Sequence, residues 1–203
     1  MSTTPKKTIT VHAGNLAIGG DAPVSVQSMT NIPVSNVAKT IEQIIKLEQE
    51  GAQLVRLAMR TEEDAKYISQ IKHEVNVPLC ADIHFNYKIA IKAIECGIDK
   101  LRINPGNIGA KENVIELVKA AREKNIPIRI GVNSGSVDLK KYGQVNPDTL
   151  VASAMEHVHI LEDCNYTTIV VSIKSSDLLQ TIEANRIFAS RRQYPIHIGL
   201  TEA

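Results

Sequence analysis

The chain has no tryptophan, two phenylalanines and five tyrosines, so it lacks the aromatic platforms on which single-stranded nucleic acid stacks. Net charge is also nearly absent: 23 Lys and Arg against 22 Asp and Glu leave +1 at neutral pH. No global field then draws the chain to nucleic acid or to a membrane surface, and any anion binding has to come from local arrangement. Cysteine is sparse. Cys80, Cys96 and Cys164 are odd in number, widely spaced and without a C-x-x-C pair, which argues against a disulfide framework and against a zinc site. No run approaches about 18 apolar residues. Met1 to Thr10 is polar with no apolar signal core, so neither a membrane span nor a secretory leader is expected. These absences fit a reducing, cytoplasmic setting.

What is present is a repeating pattern. A chain of 203 residues suits one sizeable domain, able to bury roughly 70% of its unfolded surface. Thr8–His12, Leu16–Ile18 and the Gly19-Gly20-Asp21 turn read as a short opening hairpin. After it come strand-like runs at Val24–Ser28, Leu54–Ala58, Leu79–Ile83, Lys100–Asn104, Ile128–Val132, Ile169–Ile173 and Ile196–Leu200. Between them lie amphipathic stretches of helical length, at Val37–Glu50, Glu62–Glu74, Tyr87–Cys96, Lys111–Lys124, Pro147–Asp163 and Ser176–Arg192. Thr61, Asn146 and Ser175 are suited to cap helix N-termini, and Gly51 and Gly97 sit where helices should stop.

The runs are apolar on both faces, as parallel strands covered by helices should be. No dinucleotide-type glycine turn follows the first strand, where Gln27-Ser28-Met29-Thr30 stands instead. The expected fold is therefore α/β, a parallel (β/α)8 barrel of the TIM type. A complete barrel takes about 250 residues, so this chain is expected to form an incomplete substrate-binding barrel over residues 1–203, ending after about its seventh strand.

In such barrels the working surface is the C-terminal rim. The strand ends there carry Arg56, then Asp82 and His84, then Arg102 and Asn104, then Arg129 and Asn133, then Lys174, and finally Glu202. Residues two or four apart share a strand face, so each pair can point into one mouth. Cations recurring at matching places on apolar strands call for multivalent anions, and guanidinium forks match phosphate oxygens. Each residue alone also has a plain structural reading. One barrel arginine can be half of a buried ion pair, His84 can be structural, and Asp82 can serve only to orient it. The glycines of Asn104-Pro105-Gly106-Asn107-Ile108-Gly109 can present backbone N–H groups to phosphate or simply make a tight turn.

Several strings resemble one family, the 4-hydroxy-3-methylbut-2-enyl diphosphate synthases of the non-mevalonate isoprenoid pathway. They are Val26-Gln27-Ser28-Met29-Thr30, Ala81-Asp82-Ile83-His84-Phe85, the run Leu101 to Gly109, the run Asn125 to Ser136, Val171-Ser172-Ile173-Lys174 and Gly199-Leu200-Thr201-Glu202-Ala203. The resemblance implies a dihydropteroate-synthase-like barrel that binds 2-C-methyl-D-erythritol 2,4-cyclodiphosphate, opens its ring reductively and expels water. It also implies electrons from flavodoxin or ferredoxin passing through a 4Fe-4S cluster, in a homodimer. Arg56, Arg102, Arg129, Asn133 and Lys174 would hold the diphosphate, His84 and Asn104 would line the pocket, and Glu202 would be the catalytic acid/base; Asp82, on the same strand face as His84, is counted with the substrate-binding residues. The family's cluster ligands lie in a further C-terminal domain, and none of Cys80, Cys96 and Cys164 matches them, so no metal ligand is expected in this chain. Two other readings are a non-redox enzyme of the dihydropteroate synthase type and a phosphate-binding remnant.

Overall fold

A computed structural model describes residues 7–200. The opening hairpin forms as expected: β1 (Val11–Ala13) and β2 (Leu16–Ile18) pair antiparallel. They turn through Gly14, whose φ of 57° suits a residue without Cβ. There follow β3 (Gln27–Met29), α1 (Val37–Gln49), β4 (Leu54–Ala58), α2 (Glu62–Glu74), β5 (Leu79–Asp82), α3 (Tyr87–Glu95), β6 (Lys100–Ile103) and α4 (Lys111–Glu123). The chain continues through β7 (Ile128–Asn133), a single-turn α5 (Leu139–Tyr142), α6 (Pro147–Asp163), β8 (Ile169–Lys174) and α7 (Leu178–Arg191).

Strands β3 to β8 form one sheet of six, in chain order, every neighbouring pair parallel. Strict chain order belongs to a (β/α) barrel, whereas a doubly wound sheet reverses at its switch point. The sheet is curled. In a flat sheet β4 and β8 would stand about 19 Å apart, yet Arg56 on β4 bears electrostatically on Lys174 on β8.

The seventh strand is a correction. Residues 196–200 make one parallel bridge, Ile196 to Val171, held by Val171 N–H to the Pro195 carbonyl and His197 N–H to the Val171 carbonyl, at 2.9 and 2.8 Å. Pro195 has no N–H to extend the ladder, and among the described residues no strand pairs with the far side of this segment. The curled sheet is accordingly not closed among those residues, and β3 also has a free edge.

Period-two alternation explains what is buried where. Leu101 and Ile103 of β6, and Ile128, Ile130 and Val132 of β7, pack outward against helix residues such as Leu117, Val118, Val158 and Leu161. Each such residue contributes roughly 1.5–3 kcal/mol by its burial. Their neighbours Lys100, Arg102 and Arg129 face the interior.

Thr61 and Asn146 cap as expected, each in a reciprocal box with the residue three further on. Ser175 does not. Asp177 caps α7, while Ser175 is buried and locked to Thr181. Gly51 and Gly97 end α1 and α3 at positive φ, and Asn125 and Asn165 do the same after α4 and α6, asparagine being the usual substitute in that conformation.

Candidate anion-binding site in the barrel interior

Register places Asp82, Arg102 and Arg129 side by side across β5, β6 and β7. Arg56 enters the same space from β4, opposite Cys80. Asp82, only 5% exposed, is the hub. Its Oδ1 accepts from Arg102 Nη1 at 3.1 Å and lies 3.6 Å from His84 Nε2, and its Oδ2 is 3.6 Å from Arg56 Nε. The two ring nitrogens of the exposed His84 stand 3.3 and 3.4 Å from Arg102 Nη1. Arg56 lays its fork on Met29, with Nε and Nη2 at 3.1 and 2.7 Å from the sulfur.

Arg129 is 2% exposed, and its Nε and Nη1 are buried without a hydrogen-bond partner in the structure. Arg102 Nε is orphaned in the same way. Burial pushes Arg129 down to about 10, assisted by Arg56 and Arg102. Lys174, half-buried at the end of β8, is pushed down to about 8 by burial and then by Arg129, Arg56 and Arg102. Such shifts arise when like charges share a space from which water is excluded.

Asn133 sits in register with Lys174 and leads into a 3-10 turn, its N–H donating to Ser136 Oγ at 2.9 Å. Asn104, 7% exposed, caps the turn after β6, its Oδ1 accepting from Gly106 N–H at 3.2 Å. Thus Arg56, Asp82, His84 and Arg102 are in direct contact and Arg129 and Lys174 share their field. Asn104 and Asn133 stand at neighbouring strand ends, and among the described residues neither is hydrogen-bonded to that group. Glu202 lies outside the described residues.

The interior holds more than the rim reading found. Lys100 is 1% exposed and pushed by burial down to about 8. It sits two residues before Arg102, so carrying the strand alternation one step back reaches it. His197 is pushed down to about 2 by burial, then by Arg129, Lys100, Lys174 and Arg56, and the Cys80 thiol is pushed up by burial. Among the described residues, Arg56, Lys100, Arg102, Arg129 and Lys174 face this interior and Asp82 is the carboxylate ion-paired there. A cavity lined by Gln27, Leu54, Lys100, Lys174 and His197 opens from it through the gap between β3 and residues 194–199.

Cys80 is buried inside the barrel, and Cys96 and Cys164 are the C-cap residues of α3 and α6. Among the described residues no group of His, Cys, Asp and Glu converges as a metal site, and no helix is long and apolar enough to cross a membrane.

Known proteins share this fold and, more closely, this sequence. The barrel superposes on dihydropteroate synthase from Xanthomonas albilineans with a TM-score of 0.65 at 10% identity, covering 94% of this chain and 76% of the other. The 3-dehydroquinate dehydratase from Geobacillus kaustophilus gives 0.65 at 14% identity, covering 94% and 77%. Likeness at such identity speaks for the fold alone. The 4-hydroxy-3-methylbut-2-en-1-yl diphosphate synthase (flavodoxin) of Caldanaerobacter subterraneus subsp. tengcongensis is 50% identical over 201 residues, covering 98% of this chain and 57% of the relative. The protein of the same name from Clostridium perfringens is 51% identical, covering 98% and 58%. The chain thus spans little more than half the length of these curated relatives. Residues 8–203 match the GcpE TIM-barrel domain, and the chain belongs to that family.

Proposed function

We propose that this chain is the substrate-binding barrel of a 4-hydroxy-3-methylbut-2-enyl diphosphate synthase. The substrate in this reading is 2-C-methyl-D-erythritol 2,4-cyclodiphosphate, whose ring is opened with two electrons and which loses water to give 4-hydroxy-3-methylbut-2-enyl diphosphate. The supporting observation is Arg129, buried to 2% exposure with Nε and Nη1 unpartnered amid cations that outnumber the carboxylate beside them. A buried guanidinium without an acceptor is costly. A diphosphate supplies both the charge and the acceptor oxygens.

Each residue then has a task. Arg102 and Arg129 offer fork geometry to the phosphoryl oxygens, and Arg56, Lys174 and Asn133 complete the grip. Asp82 holds Arg56 and Arg102 in position, and His84 and Asn104 line the pocket. Glu202 serves as acid/base at the reacting carbons. The 4Fe-4S cluster implied by the resemblance does not fit the cysteines of this chain, which are dispersed between the barrel interior and two helix ends. Flavodoxin, the donor specified in the relatives' names, is the electron source in this reading, and the working form is a cytoplasmic homodimer.

The test is calorimetric titration of the full-length protein with the cyclic diphosphate. Arg129→Lys and Arg102→Lys should bind at least about 30-fold more weakly than wild type, since losing one partner of a buried charged hydrogen bond costs about 2–5 kcal/mol. Arg186→Lys, at an exposed position of α7, should bind normally. Equal binding by all of them removes the reading.

A further inference from the structure

Asn104 stands at the rim, yet β6 ends before it, and the Pro105–Asn107 turn that follows is a single 3-10 turn running on to Gly109 at φ 101°. Among the described residues, one hydrogen bond ties this turn to an element outside β6 and α4. Gly106 N–H points to His157 Nδ1, 3.2 Å away and 51 residues on, in the middle of α6. The approach is close: a Cβ on Gly106 would stand 2.4 Å from His157 Cε1 and 3.0 Å from Nδ1. Only glycine permits this contact. The same N–H lies 3.2 Å from Asn104 Oδ1, so the imidazole and the Asn104 amide converge on one donor.

We infer that His157 is a positioning residue for Asn104, fixing the turn after β6 through Gly106 and thereby aiming the Asn104 amide at the ligand. With Oδ1 turned back to Gly106, Nδ2 is the end of the amide left to face the mouth. An N–H donor is what an anion needs, while a flipped amide would present oxygen to oxygen. For His157 to accept through Nδ1 the ring must be neutral, and burial lowers its pKa in that direction. The inference rests on the anion-binding reading above for its effect on ligand, and on hydrogen-bond geometry alone for the clamp itself.

The experiment uses the full-length protein and the variants His157→Leu, His157→Asn and Gly106→Ala. Leucine removes the acceptor, asparagine places an amide oxygen near the position of Nδ1, and alanine drives a methyl into the ring. Amide hydrogen exchange of residues 105–109 and affinity for the cyclic diphosphate are both read. His157→Leu and Gly106→Ala should each speed exchange in that segment and weaken binding about 3–10-fold, the worth of one hydrogen bond. His157→Asn should restore both to near wild type. Unchanged exchange in His157→Leu overturns the inference, as does equal loss of affinity in the leucine and asparagine variants, which would make His157 a packing residue. Should His157→Leu not fold, Gly106→Ala decides, and wild-type exchange in it overturns the clamp. Should wild type not bind the cyclic diphosphate, the functional reading fails, while exchange still judges the clamp.

Discussion

Arg102 on β6 lies across Gly131 on β7, so that a Cβ at position 131 would stand 2.9 Å from Arg102 Nε and 3.1 Å from Nη2. The glycine is what allows the guanidinium to lie flat and reach Asp82 at 3.1 Å. Gly131→Ala should therefore move Arg102 off Asp82. The clash is with the end of a flexible side chain, so the melting temperature should change little. Affinity for the cyclic diphosphate should fall by about ten-fold or more, because misplacing a binding group by an ångström is expensive. Calorimetry beside a thermal melt checks the pairing of these two outcomes.

Lys100 makes an opposite prediction. It is a cation with 1% exposure and no ion pair among the described residues, so Lys100→Met should stabilise the ligand-free protein. Exchanging buried charge for apolar volume often gains roughly 1–4 kcal/mol. Its folded pKa of about 8 lies below the ordinary 10.5, so between these values the unfolded chain binds more protons and stability rises with pH. The gain from Lys100→Met should be greatest below pH 8 and fade towards pH 10. Denaturant titrations at pH 7 and pH 10 test this, and an equal gain at both would contradict it.

Glu202→Gln, in the full-length protein, should leave binding of the cyclic diphosphate largely intact while removing turnover. The amide keeps shape and hydrogen bonding but carries no titrating proton, and acid/base catalysis contributes about 10²–10⁴-fold. Single-turnover kinetics would show it, and near-normal rates would make Glu202 structural.

The 203-residue chain on its own should associate. Among the described residues the edge of β3 and the far side of residues 196–200 are unpaired and flank one gap, and Val24, Val26 and Ile198 beside it are 96%, 57% and 76% exposed. Open edges with apolar flanks invite pairing. Light scattering that gives a monodisperse monomer would count against this.

The sequence made the barrel legible because its signals were periodic and local. Apolar runs bounded by caps and glycines marked β4 to β8 within a residue or two, and the charged rim stood out against those runs. What stayed hidden was contact between distant segments. Nothing in the run Ile196–Leu200 announces that it makes a single bridge, since strand length depends on a neighbour. Ser175 has the chemistry of a cap, but Thr181 claims it. Lys100 lies within reach of the alternation that links Arg102 to Asn104, but it stands at the start of its strand and not at the rim. His157 reads as one helical histidine among others, because its partner Gly106 is 51 residues away.

The hairpin of β1 and β2 has a last consequence. Ala13, with Leu16 and Ile18, packs on Leu54 and Cys80 and lays apolar side chains under part of the lower end of the barrel. A floor of low polarisability beneath a ring of cations gives their field lines little to end on below, so the potential is thrown outward through the mouth. Capture of an anion then becomes a matter of rate as much as grip: added salt should slow arrival far more than it hastens departure.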